Sequence, residues 1–154
     1  MIDIKKILVA TDFSDHSAVA LRYAAEFSKA FGSQILLCHV VEGSGYLSHL
    51  PPGGEGYFPP NMDEIRRENA QVKCQEILDE GTFENAAAHV LIGKPFLEIV
   101  QLAKAENVDL VIVGTHGRGA VAHMLLGSVA ERVVRKAPCP VLTVREEEHE
   151  FIHP

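Results

Sequence analysis

The sequence has no long hydrophobic run, no cysteine framework and no excess of basic charge, and each absence removes a class of function. Its longest apolar run is about six residues, where a bilayer-spanning helix needs ~20, so no membrane span is expected. The opening Met1-Ile2-Asp3-Ile4-Lys5-Lys6 passes straight into a strand pattern and lacks the charged-then-apolar layout of a signal peptide. The expectation is a cytoplasmic protein. Cysteine is scarce: Cys38, Cys74 and Cys139 are widely spaced and odd in number, which argues against a disulfide framework or a cysteine-based zinc site. Fourteen Lys and Arg stand against twenty-one Asp and Glu, a net charge of −7. There is thus no broad electrostatic footprint for nucleic acid, and an anionic ligand has to be held locally.

Two common nucleotide-binding motifs are missing as well. A dinucleotide fold places Gly-x-Gly-x-x-Gly after its first strand, but here that strand ends in Thr11-Asp12-Phe13-Ser14, without glycine. A P-loop needs Gly-x-x-x-x-Gly-Lys-Ser/Thr, and Gly93-Lys94 is followed by Pro95.

The elements that are present suit one domain. Lys5 to Thr11 and Gln34 to Val41 are apolar runs of the kind that parallel strands covered on both faces display. Between them, Ser14 or Asp15 can cap a helix in which Ala20, Ala24, Phe27 and Phe31 recur at helical spacing, and Gly32 supplies a stop. Cys38 and His39 lie within the second apolar run and are expected in the core, the histidine with a hydrogen-bond partner. Residues 42–60 crowd glycine and proline together and read as a long loop, either a lid or an insertion. Asn61 is placed to cap a helix to about Glu80 carrying Met62, Ile65, Val72, Ile77 and Leu78, ended by Gly81. Ala86 to Ile92 follows as a strand, then Pro95 at the first position of a short helix to Asn107. Val108 to Val113, a helix from about Val129 ended by Pro138, and Val141 to Val144 complete five strands and four helices. The division expected is one domain over 1–145, with the loop at 42–60, and an acidic tail over 146–154. Alternating strands and helices predict a parallel, doubly wound sheet, because each crossover between parallel strands needs a helix.

The stretch from Asp109 to Ser128 carries the chemistry. An apolar strand stops at Gly114, a glycine-rich turn follows, and Gly127-Ser128 opens a helix. Backbone N–H groups at a helix start lack intrahelical partners and sit at the positive end of the macrodipole, so they attract anions without a dedicated base. Asp12, Val40 and Gly114 all fall at strand ends, where open α/β sheets bind ligands. Asp12 reads equally as a helix cap. Arg118 lies in the turn, either turned to solvent or reaching a terminal phosphate. Neither His116 nor His123 has a second histidine or a carboxylate at ligand spacing, so no metal site and no general base is assigned.

The spacing Gly114-x-x-Gly117, nine residues, then Gly127-Ser128, with Asp12 closing the first strand and Pro138-Cys139-Pro140-Val141-Leu142 at the last, resembles the universal stress protein family, nucleotide-binding branch. The resemblance covers nearly the whole chain apart from 42–60 and the tail. It implies a Rossmann-like fold of the adenine nucleotide alpha hydrolase type, strand order 3-2-1-4-5, and ATP with Mg2+ bound through the phosphates. Asp12 would then meet the ribose hydroxyls, while backbone around Ala10, Thr11, Val40 and Val113 flanks adenine. Gly114, His116 and Gly117 would line the ribose and phosphate side, and Gly127, Ser128 and Val129 would hold phosphates. A homodimer through Val141, Leu142, Thr143 and Val144 is implied too, with a monomer covered by its tail as the alternative. The function implied is an ATP-binding stress regulator or sensor without dedicated catalysis. The alternatives are slow ATP hydrolysis or self-phosphorylation, and an interaction module with a vestigial or AMP/ADP-preferring pocket.

Overall fold

The computed structural model describes residues 2–43, 61–115 and 126–145. Nine elements alternate along them: β1 (Lys6–Ala10), α1 (Asp15–Phe31), β2 (Gln34–Val41), α2 (Met62–Asp79), β3 (Ala86–Ile92), α3 (Pro95–Ala105), β4 (Leu110–Gly114), α4 (Ser128–Lys136) and β5 (Val141–Val144). The strands form one sheet in the order β3-β2-β1-β4-β5, and every pairing is parallel. This is the expected α/β architecture and strand order.

Alternation along each strand divides the core between the two faces. Ile7 and Val9 of β1, Ile35 and Leu37 of β2 and Ile112 of β4 pack with Val19, Ala20 and Ala24 of α1 and Ala70 and Cys74 of α2. Leu8, Leu36, Cys38, Val111 and Val113 point the other way, onto Ile99 and Ala103 of α3 and Ala130 and Val133 of α4. Both faces are therefore covered, and the central strands β1, β2 and β4 are largely apolar because neither of their faces is open to water.

Local signals account for most helix ends. Ser14 caps α1, its side chain accepting from Ser17 N–H at 3.3 Å, and Gly32 ends it in the left-handed region at φ 66°. Pro95 opens α3. Three expectations need correction. Asn61 precedes α2 but its side chain caps nothing, whereas Gly81 follows the C-cap Glu80 in the left-handed region at φ 72° and ends the helix as expected. Ile65 and Val72 lie 41% and 59% exposed, because the buried stripe of α2 runs through Ala70, Cys74, Ile77 and Leu78, and residues 65 and 72 fall on the opposite side at 100° per residue. Phe31 sits in the last turn of α1 and is largely exposed. The loop expectation for 42–60 lies outside the described residues beyond Gly43, as does the acidic tail at 146–154.

Candidate functional site

Parallel strands deliver all their C-terminal ends to one rim, and the rim holds a cleft of about 600 Å³. Its floor is made by strand ends: Ala10, Thr11 and Asp12 at the end of β1, Val40 and Val41 of β2, and Val113, Gly114 and Thr115 at β4. The β1 end is held rigidly. Thr11 N–H donates to the Cys38 carbonyl at 2.8 Å, the Thr11 hydroxyl lies 3.0 Å from that of Ser17 and accepts from Phe13 N–H at 3.0 Å, and the Thr11 carbonyl accepts from His39 Nδ1 at 2.8 Å. Asp12 Oδ1 accepts from both the N–H and the hydroxyl of Ser14. The side chain thus shapes the turn into α1 while lining the cleft, but the N-cap of α1 is Ser14, which corrects the helix-cap reading of Asp12.

Phe13 has φ +63°, a conformation that costs a bulky residue of order 1–3 kcal/mol unless its surroundings enforce it. They do. The ring stacks on His39 with centroids 4.3 Å apart, and Lys73 Nζ of α2 sits 5.3 Å from its centroid. Arg66, Asn69 and Lys73 form one wall of the cleft, and Arg66 donates from its guanidinium to the Glu42 carbonyl at 2.9 Å. None of these α2 residues was singled out from sequence. The signal available was the spacing 66, 69, 70, 73, which puts two cations and an amide beside buried Ala70 on one flank of the helix.

The opposite wall is made by α3 and α4. Gly127 is the N-cap residue of α4 and has no side chain with which to cap it. Gly127 N–H donates to the Thr115 carbonyl at 2.6 Å, which ties the start of α4 to the end of β4. Ser128, Val129 and Ala130, the first turn of α4, line the cleft with their helix start, where N–H groups have no intrahelical acceptor. A smaller recess of about 140 Å³ adjoins it, where Lys94 and Arg132 flank Ser128 and Val129. Arg132 is seated over the Phe96 ring, 5.1 Å from its centroid.

Burial pushes the Cys38 thiol up to about 12, with further contributions from the nearby Cys74 and Glu98, and burial pushes Cys74 up to about 11. Cys38 therefore lines the cleft as an apolar group and not as a thiolate nucleophile. Among the described residues, no group of three His, Cys, Asp or Glu side chains is placed to hold a metal ion. No described helix is long and apolar enough to cross a membrane.

The family model described as "Universal stress protein family" matches residues 3–145. The chain belongs to the universal stress protein family. Universal stress protein MJ0531 of Methanocaldococcus jannaschii is 34% identical over 148 residues, covering 95% of this chain and 85% of the relative. Among solved structures, protein MJ0577 of the same organism superposes with a TM-score of 0.75 at 27% identity, over 96% of this chain and 100% of that one. A universal stress protein from Archaeoglobus fulgidus in complex with dAMP is 25% identical with a TM-score of 0.61, over 93% and 98% of the two chains. Of the residues that the family resemblance nominated in this universal stress protein, Ala10, Thr11, Asp12, Val40, Val113, Gly114, Gly127, Ser128 and Val129 all line the one cleft. His116, Gly117 and Arg118 lie outside the described residues. Thr115, Phe13, His39 and the α2 wall join the lining without having been nominated.

Proposed function

We propose that the cleft binds an adenine nucleotide, ATP foremost, and that the protein acts as a dimeric cytoplasmic regulator or sensor of stress without dedicated catalytic machinery. The observation that carries this reading is that the start of α4, capped by no side chain, and the Asp12 carboxylate open into the same cleft. One site thereby offers an anion holder and a hydroxyl acceptor, the two ends of a nucleotide. Asp12 takes the ribose hydroxyls, and the strand-end backbone at Ala10, Thr11, Val40 and Val113 flanks the base. Ser128 and Val129 hold phosphates through their N–H groups, beside Gly127, whose own N–H is already given to the Thr115 carbonyl, with Gly114, His116 and Gly117 on the same side and Arg118 at the terminal phosphate. Each charge-assisted contact to phosphate contributes about 1.5–3 kcal/mol. Magnesium would be carried by the phosphates, since it is commonly held by few protein ligands.

The dAMP held by the Archaeoglobus relative supports the adenine choice and favours one alternative, a pocket that prefers a monophosphate. Mass spectrometry of protein purified without added nucleotide distinguishes them, because a retained ligand reports its own mass. ATP is expected; AMP would establish the alternative, and nucleotide-free protein that also ignores added ATP would overturn both. The dimer is supported by β5 lying at a sheet edge, where an unpaired apolar strand is a hazard unless covered. Pairing Val141, Leu142, Thr143 and Val144 with a second copy covers it. Light scattering should give twice the chain mass, and a monomer mass at high concentration would contradict this.

A further inference from the structure

The cleft has donors on two walls, and a nucleotide phosphorylated only at its 5′ position, AMP or ATP, has its phosphates on the α4 wall. On the other, Lys73 is exposed, forms no ion pair among the described residues, and is seated over Phe13, the residue next to Asp12. Its seat is fixed: Phe13 is held at φ +63° by its stack on His39 and by its N–H bond to the Thr11 hydroxyl. Asn69, one turn before Lys73, adds an amide donor to the same lining. Lys73 lines the same cleft as Asp12, the residue proposed to hold the ribose, and a cation there has no partner on a nucleotide whose ribose bears only hydroxyls.

We propose that Lys73 is a specificity-determining residue for a second phosphate on the ribose, so that the cleft takes nucleoside 3′,5′-bisphosphates. This rests on the nucleotide reading above and names the ligand class of the same site. The two charges on such a ligand match the two walls. Its 5′-phosphate meets the start of α4, its 3′-phosphate meets Lys73 and Asn69, and its remaining 2′-hydroxyl is left for Asp12. The Ser14 donors keep Asp12 ionised, so it opposes a nearby phosphate, and Lys73 is the cation that offsets this repulsion.

The test is calorimetric titration of the full chain with AMP, ATP and adenosine 3′,5′-bisphosphate, repeated on Lys73→Met. Lys73 is exposed and outside the core, and circular dichroism checks that the variant is folded. The wild-type chain should bind the bisphosphate about tenfold more tightly than AMP, a difference of about 1.4 kcal/mol, and Lys73→Met should bring the ratio of the two affinities close to one. Equal affinities in the wild type, or a ratio untouched by Lys73→Met, would overturn the proposal while leaving the nucleotide reading intact. Failure of all three ligands to bind would overturn both.

Discussion

The two edges of the sheet are built to opposite ends. At the N-terminal edge, polar groups are tied to one another by the protein itself. Asp109 Oδ2 accepts from the N–H groups of Lys5 and Lys6 at 2.8 and 2.9 Å, and Lys6 Nζ donates to the carbonyl and carboxylate of Glu106. The Ser28 hydroxyl donates to the Ser33 carbonyl at 2.7 Å, and the Ser33 hydroxyl to that of Ile4. At the C-terminal edge the strands end in a cleft of about 600 Å³, and α4 starts without a side-chain cap. A glycine N-cap is weaker than a capping side chain by only roughly a few tenths of a kcal/mol, so the open start of α4 costs the fold little and a ligand can supply the missing acceptor. One edge closes the fold; the other is open to a ligand.

That contrast is broken most severely at Gly127. Gly127→Val places a branched side chain at the mouth of the α4 start. ATP affinity should fall at least about 100-fold, roughly 2.7 kcal/mol, while urea denaturation shows a stability loss of only about 1 kcal/mol. Equal losses in binding and stability would mean that the edge is structural. The mirror experiment is Asp109→Ala at the closed edge, expected to cost about 2 kcal/mol of stability through two backbone donors left without their carboxylate, with ATP affinity unchanged. A large change in affinity would show that the two edges are not independent.

Alkaline pH tests the core between the edges. Cys38 and Cys74 have folded-state pKa values raised from 9.0 to about 12 and about 11 by burial. Above pH 9 the unfolded chain loses these protons and the folded chain keeps them, so the stability is fully present below the unfolded value and is lost as pH rises through the folded ones. Denaturation at about pH 10.5 should show a loss on the order of 4 kcal/mol relative to neutral pH, about 2 kcal/mol from each thiol, and Cys38→Ala should roughly halve it. A variant as pH-sensitive as the wild type would remove Cys38 from the explanation. The smallest effect belongs to the outer surface, away from both edges. Arg135→Ala removes an exposed i,i+4 pair with Glu131 at 3.0 Å and should move stability by less than about 0.5 kcal/mol, with ATP binding unaltered; a larger shift would give this pair a role beyond the helix surface.

The fold was legible because both sheet faces are covered: runs such as Ile7-Leu8-Val9 and Leu110 to Val113 read as buried strands without ambiguity. The α4 half of the cleft was legible because its chemistry is backbone chemistry, marked by glycines at fixed spacing. The α2 half was not. Arg66 and Lys73 belong to a helix whose outer side is charged throughout, and nothing in one sequence separates a cation turned to solvent from one turned into a cleft. The same helix misled through Ile65 and Val72, since its core stripe is made largely of small residues, Ala70 and Cys74, and larger side chains on the wrong side outweighed them. Phe13 was hidden for another reason. A phenylalanine in the left-handed region runs against local preference and is held there by contacts from β2 and α2, which only the tertiary structure reveals.

The central claim is that the open edge is a nucleotide site, and calorimetric titration of the nucleotide-free chain with magnesium and ATP tests it most directly. The account predicts saturable one-site binding in the micromolar range, about −8 kcal/mol. No heat and no thermal protection at millimolar ATP would contradict it.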